Sequence, residues 1–223
     1  THDVLLRTIS GASPGSVNAL LSAVALPQAF PHVHGADEGD GSGNPLYDTW
    51  VRRIDIRWLL HTDDLDSEDA PIVSLLDSRC LDRIGEHVLK FDGPAMSRPY
   101  TASPLKCIFT VTNLRGVPYK VPFAGSKSQQ AHSMVAHADY LRFAVDTGQG
   151  AFDKAWEYPD DLYVSYPRQL PDRSWTAILR ASLASSAFPG GLRYRGIERR
   201  WSDYMQRSVM VPDVNGKVSM VPI

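Results

Sequence analysis

Asp3-Val-Leu-Leu-Arg-Thr-Ile-Ser10-Gly11-Ala12-Ser13-Pro14-Gly15-Ser16-Val-Asn18-Ala19-Leu-Leu-Ser-Ala-Val-Ala-Leu26 is the stretch that decides the fold. Val4 to Ile9 is apolar and partly β-branched, which suits a strand buried on both faces. Gly11 to Gly15 is a tight turn. Ser16 to Leu26 is a compact apolar run stopped by Pro27, which reads as a buried helix. The turn has the pattern G-x-S-x-G, and it has the context a nucleophile elbow needs: a strand directly before and a helix directly after. Glycines let the chain turn sharply, so that Ser13 stands at the sheet's C-terminal edge. Its oxygen then faces a helix N-terminus, whose free N–H groups and positive dipole favour an oxyanion. An ordinary Gly-rich strand-to-helix turn gives the same string, so the pattern needs support from the rest of the chain.

Outward from this stretch, strands and helices interleave. Pro31 to Pro45 turns to Gly, Asp and His and reads as an exposed loop. Leu46 to Leu60 has apolar residues at mixed helical spacings. Ser74 to Leu89 is amphipathic, with Leu75, Leu76, Ile84 and Val88 as its expected buried stripe. Lys106 to Leu114 alternates and is β-branched, a second strand. Arg115-Gly116-Val117-Pro118 is expected to turn the chain, with Tyr119 to Phe123 returning beside it. Trp175 to Ser186 is a small-residue helix, and Asn215-Gly216 between valine-bearing runs signals a hairpin. The class is α/β, with Val4 to Ile9 and Ile108 to Val111 expected as neighbouring central strands.

Composition narrows the function classes. Of 223 residues, 43% are hydrophobic and 22% charged, which rules out wholesale disorder. With 23 basic and 25 acidic side chains the net charge is -2, so no global field recruits nucleic acid. No run of 18 or more apolar residues exists to span a bilayer, and two cysteines are not a disulfide framework. The chain starts at Thr1 and stops on a strand-like run, as expected of a piece cut from a longer polypeptide. No signal peptide is visible, and the expected location is cytoplasmic or peripheral to a membrane.

Ile9-Ser-Gly11-Ala-Ser13-Pro-Gly15-Ser-Val-Asn18-Ala19 resembles the elbow of the patatin-like phospholipases, commonly I-x-G-T/A-S-A-G-x-x-N-A. The resemblance continues in order along the chain. Lys106 to Leu114 looks like the family's central strand, and Ala181-Ser-Leu-Ala-Ser-Ser-Ala-Phe-Pro189 like its small-residue helix ending in A-S/A-A-x-P. Asn44-Pro-Leu-Tyr-Asp-Thr-Trp50 and Ser74-Leu-Leu-Asp-Ser78 resemble segments of its bacterial branch. The resemblance implies a single three-layer α/β/α domain over residues 1–223 with a mostly parallel sheet. It implies a lipid acyl hydrolase with Ser13 as nucleophile, Gly11 and Gly15 shaping the elbow, a Ser-Asp dyad, no cofactor and no metal. A lipid or other ester substrate and peripheral membrane contact follow, and no nucleic acid partner.

Two departures stand out. The family's D-G-G or D-G-A motif is missing; Asp213-Val-Asn-Gly216 lies in the right region but reads better as hairpin turn chemistry, so Asp213 is a weak dyad candidate and the true aspartate is expected beyond Ile223. The Gly-rich oxyanion loop is missing too. Pro14 lacks the N–H that the residue after the nucleophile usually donates, and one lost donor can cost about 2.7–4 kcal/mol of transition-state stabilisation. Pro14 is equally the residue preferred at a helix's first position. A non-catalytic domain of the same fold is therefore the alternative. A Ser-His-Asp hydrolase is the third, weakened because no histidine follows His137.

Other candidates have plainer explanations. His32, His34, Asp37, Glu38 and Asp40 share a loop, but Pro45 stands where a calcium loop requires glycine. His132 and His137 are five apart and share no helical face. Cys80 and Cys107 are expected as buried thiols. Arg193, Arg195, Arg199 and Arg200 with Tyr194 and Trp201 form a basic-aromatic cluster that is either a solvated face or a headgroup contact.

Overall fold

In a computed structural model the described residues are 4–34, 41–62, 71–122, 131–156, 158, 161–167, 171–204, 207–212 and 218–222. The chain divides into two compact units, one of residues 1–110 and 141–196, the other of residues 111–140 and 197–223.

The first unit is α/β. Strands β1 (Leu6–Ala12), β2 (Thr101–Pro122), β3 (Ala131–Val145) and β4 (Leu162–Val164) form one sheet in the order β1-β2-β3-β4. The first unit holds residues 101–110 of β2 and 141–145 of β3, whose remaining residues belong to the second. β1 runs parallel to β2, with Ile9 opposite Cys107 and Ala12 opposite Thr110, and β3 runs parallel to β4. Contacts between β2 and β3 run in opposite sequence order: Thr147 bonds the Ala102 carbonyl, and His137 that of Asn113. The expected mostly parallel α/β sheet is present.

Alternation along β2 sorts its side chains. Leu105, Cys107 and Phe109 are fully buried against helices α1 (Pro14–Ala25), α4 (Arg79–Leu89) and α5 (Arg173–Ser185). Helix α1 has no charged residue, and it buries Ala19, Leu20, Leu21, Ala23 and Val24. A helix apolar on most faces can only be a core helix. From α5 come Trp175 and Ile178, and the Trp175 indole N–H donates to the Ser165 carbonyl at 2.8 Å, which satisfies the one polar atom of that side chain. On the opposite side of β2, Lys106 is buried. Its Nζ lies 2.8 Å from an Asp161 carboxylate oxygen and 3.5 Å from the Tyr158 ring centre, so the segment before β4 is fastened to that face. Between α1 and α4 the chain makes the short turns α2 (Pro45–Tyr47), a π-helical turn Asp48–Arg53, and α3 (Ile56–Leu59). No helix among the described residues is long and apolar enough to cross a membrane.

The second unit is built on an ionic knot. Asp139 of β3 accepts from the Tyr204 hydroxyl at 3.0 Å and from the Arg207 guanidinium, which also stacks 3.8 Å from the Tyr140 ring centre. Strands β5 (Ser208–Pro212) and β6 (Val218–Pro222) pair antiparallel, Met210 opposite Met220, as the hairpin signal predicts. The Asn215-Gly216 turn lies outside the described residues.

Three expectations need correction. β1 neighbours β2, but it is the outer strand of the described sheet, not a central one, and Val4 and Leu5 are exposed and precede it. Arg115 to Pro118 does not end the strand. Asn113 Oδ1 accepts the N–H groups of Arg115 and Gly116, and Gly116 takes φ 71°, so the chain passes a local side-chain-capped bend and β2 continues to Pro122. Leu75 and Leu76 are not on a helical stripe. Their N–H groups bond the carbonyls of Gly190 and Gly191, Leu75 is exposed, and α4 starts only at Arg79, where the Asp77 carboxylate takes the Arg79 N–H at 2.9 Å.

Helix α5 supplies a pH-dependent prediction. Asp172 caps it, accepting from the N–H groups of Ser174 and Trp175 and from the Ser174 hydroxyl. Those bonds, the Ser174 hydroxyl first, hold the Asp172 carboxyl below its ordinary range. A depressed folded-state pKa stabilises above the unfolded value and is lost as pH falls through the folded one. Asp172→Ala is expected to lose about 1 kcal/mol at pH 7 in urea unfolding, with the gap to the parent closing below about pH 4. A gap that stays constant down to about pH 2 to 3 would assign the loss to packing instead.

Candidate functional site

β1 ends at Ala12 and α1 begins at Pro14, so Ser13 alone makes the corner. Its backbone sits at φ 52° and ψ -123°, and the other positive φ values among the described residues belong to glycines. That region is nearly closed to side chains and costs about 1–3 kcal/mol. Two features over-determine it. A Cβ on Gly11 would lie 2.3 Å from the carbonyl carbon of Gly15, so strand end and helix start are in backbone contact there. Pro14 occupies the first turn of α1, where a missing N–H leaves no helical bond unmade.

The C-terminal end of α5 closes on this corner. The Ser13 N–H donates to Ser185 Oγ at 2.9 Å, and Ser186 Oγ donates to the Ser13 carbonyl at 3.0 Å. Both polar groups of the Ser13 main chain are thus held by consecutive serines of one helix. Ser185 Oγ in turn donates to the Thr110 carbonyl of β2 at 2.7 Å, and buried Ser16 Oγ lies 2.7 Å from Ser185 Oγ and 2.8 Å from the Gly11 carbonyl. The hydroxyl of Ser13 itself is exposed and has no hydrogen-bond partner among the described residues. Geometry of this kind presents one oxygen to solvent at a helix N-terminus and locks everything around it.

The other segments quoted for the resemblance are bonded to α1 and to the chain after α5. Asn18 of α1 accepts from the Trp50 indole N–H at 2.7 Å. Residues 75 and 76 bond residues 190 and 191, just past the Ala181 to Pro189 run, and Ser78 Oγ accepts the Arg193 N–H at 2.9 Å. The Asn44 to Trp50 segment is thus tied to α1 at Asn18, and the Ser74 to Ser78 segment to the chain just past α5.

Asp213 lies outside the described residues, as do Asp37, Glu38 and Asp40. His32 and His34 have ring centres 6.4 Å apart, and no group of three or more His, Cys, Asp or Glu suited to a metal occurs among the described residues. His132 and His137 lie on β3 rather than a helix, and His137 Nδ1 is 2.7 Å from the Asn113 carbonyl, which assigns it the proton. Cys80 and Cys107 are free and buried, and burial pushes the Cys107 thiol up to about 12, which makes it inert. The arginine cluster is divided: Arg193 and Arg195 belong to the first unit, where Arg195 pairs with Asp82 at 3.0 Å, while Arg199 and Arg200 belong to the second, with Arg199 pairing to Asp203. Pattern alone does not reveal the clamp serines Ser16, Ser185 and Ser186. A pair of serines ending a small-residue helix is their one signal.

A protein of Sinorhizobium fredii described as "Uncharacterized protein y4iI" is 28% identical to this chain over 247 aligned residues, covering 99% of the chain. The chain spans 34% of that relative's length. No family model matches the chain, and no solved structure does.

The two glycines of the turn separate sterically. Gly11→Ala meets backbone and is expected to lose about 2 kcal/mol or more. Gly15, with nothing within 4 Å of where a methyl would stand, is expected to accept alanine and gain about 0.5 kcal/mol from helix propensity. Urea unfolding of both variants checks this; equal losses would mean the turn is not closed at Gly11.

Proposed function

We propose that the chain carries the nucleophile elbow of a serine acyl hydrolase of the patatin-like kind, with Ser13 as the nucleophile and a lipid or other carboxylic ester as substrate. The observation that carries this is the conformation of Ser13. A non-glycine residue with φ 52°, at a strand-to-helix corner, with its main chain held on both sides and its hydroxyl without a partner among the described residues, places backbone strain beside one reactive atom. In the proposed reaction an aspartate carboxylate takes the Ser13 proton as Oγ bonds to the ester carbonyl carbon. The tetrahedral oxyanion collapses, the alkoxide leaves with that proton, and an acyl-serine remains. Water then adds to the acyl carbon and gives a proton to the aspartate; the second tetrahedral intermediate collapses, the bond from the acyl carbon to Ser13 Oγ breaks, Oγ takes that proton back and the acid is released. No metal or redox cofactor enters this chemistry. The cell location that suits the reading is the cytoplasm or a membrane periphery.

One observation favours the alternative, a non-catalytic domain of this fold. Pro14 donates no N–H, and the Ser13 N–H is already engaged by Ser185, so neither of these two positions offers the oxyanion a donor as the chain stands. The expected outcome is therefore split. A serine-directed fluorophosphonate labels the intact protein on the tryptic peptide Thr8–Arg52, Ser13→Ala abolishes the label with the fold intact, and p-nitrophenyl butyrate turnover by these 223 residues alone is negligible. Label that survives Ser13→Ala would sink the nucleophile assignment. Robust turnover lost on Asp213→Asn would make Asp213 the dyad partner.

A further inference from the structure

A cavity of about 310 Å³ lies between the π-helical turn Asp48–Arg53 and the C-terminal end of α4, within the first unit. That volume is at the lower end of the range for small-molecule sites, roughly 300–1,000 Å³. Its lining shares no residue with the Ser13 corner. The turn decides which side chains reach it. In an α-helix, residues five apart stand about 140° from one another around the axis and face different ways. Here the Ile54 N–H donates to the Thr49 carbonyl at 3.2 Å, an i→i+5 bond, so Asp48 and Arg53 come round to line the same cavity.

Charge then separates the two. Asp48 is buried, and its Oδ1 accepts from the N–H and the hydroxyl of Ser42 at 3.0 and 2.9 Å and lies 3.6 Å from Arg52 Nε, so its negative charge is met. Arg53 is not met. It pairs with no carboxylate among the described residues, and its Nε–H is buried without a hydrogen-bond partner. A buried donor in that state calls for an acceptor. Lys90, on the α4 side, pairs with no carboxylate among the described residues either. Burial first, then Arg53, push His87 below its ordinary range against the opposing pull of Asp48, with Lys90 adding the least. Arg53 and Lys90 thus act on one imidazole from the same cavity. Two features work against an anion, Asp92 and the partial negative charge at the end of α4. Asp92 is exposed, so solvent screens it, and the Glu86, His87 and Val88 carbonyls accept the N–H groups of Lys90 and Phe91.

We propose that this cavity binds a small organic oxyanion, a phosphate ester or a carboxylate on an apolar body, with Arg53 and Lys90 meeting the oxyanion and Val88 and Phe91 packing on the body. Arg53 supplies a fixed cation with an unused N–H, and the apolar walls supply contact area. Ser13 plays no part, so this proposal and the nucleophile assignment fail separately.

Isothermal titration of the full chain tests it, with phenyl phosphate, benzoate, inorganic phosphate and benzylamine as probes. Phenyl phosphate or benzoate binds with a Kd on the order of 0.1–1 mM, and the tighter of the two identifies the oxyanion. Inorganic phosphate, which lacks the ring, binds about tenfold more weakly than phenyl phosphate, and benzylamine, with the ring but the opposite charge, does not bind. Arg53→Met weakens binding about tenfold or more, and Lys90→Met, at an exposed position, about threefold. Arg57→Met on α3 and Ser13→Ala bind as the parent does, and urea midpoints show which variants are folded. If Arg53→Met does not fold, the comparison of Lys90→Met with Arg57→Met decides alone. No anion binding up to about 10 mM, or benzylamine binding as tightly as the anions, would overturn the proposal. So would equal losses in Lys90→Met and Arg57→Met, or binding lost in Ser13→Ala.

Discussion

The contact between the Gly11 and Gly15 backbones is the constraint on which the corner depends. Two strands and two helices must converge there, and only a residue without a Cβ lets β1 end in contact with the first turn of α1. Given that contact, the peptide between them has little freedom. Ser13 must take a left-handed φ although it carries a side chain, and the strain persists because Ser185 and Ser186 hold its N–H and its carbonyl. Their helix is itself fixed by Trp175 and Ile178 in the core and by Asp172 at its N-terminus. The exposed hydroxyl is the one element of the corner left unbound among the described residues. Rigidity around a free oxygen is what acyl transfer asks of a nucleophile, because a reacting group held in place needs no reorganisation at the moment of attack.

Several parts of this arrangement are legible in residues alone. The strand–turn–helix succession at Val4 to Leu26 can be read because its composition switches abruptly and Pro27 stops the helix. The alternation of Lys106 to Leu114 marks β2, and Asn215-Gly216 marks the β5–β6 pair. The extension of β2 past Pro118 is not legible, since Gly116 and Pro118 signal a turn locally while the Asn113 side chain takes two N–H groups ahead and the strand continues. Leu75 and Leu76 mislead for a related reason. Their spacing with Ile84 and Val88 fits a helix, but their N–H groups are taken by Gly190 and Gly191, more than a hundred positions away, and no local pattern encodes that. The edge position of β1 is equally hidden, because an apolar run does not say how many neighbours a strand has.

At the site, Ser13, Gly11 and the helix-initiating role of Pro14 come from the pattern, whereas the clamp comes from tertiary structure. Ser185 and Ser186 look like small-residue filler in a helix; what makes them matter is that the helix ends against Ser13. The basic-aromatic cluster around Arg193 to Trp201 shows the opposite error. Adjacent in sequence, its members fall in two different units.

The central claim is that the serines at the end of helix α5 hold Ser13 in the strained conformation that the Gly11–Gly15 contact imposes. The most direct measurement is urea unfolding of Ser13→Gly in two backgrounds, the parent chain and the Ser185→Ala/Ser186→Ala variant. Glycine removes the strain, so in the parent it is expected to stabilise by about 1–2 kcal/mol. With the clamp removed the corner relaxes, and that gain is expected to shrink by about 1 kcal/mol, a coupling well above the error of a double-mutant cycle. An identical effect of Ser13→Gly in both backgrounds, or a net destabilisation by glycine in the parent, would contradict the account.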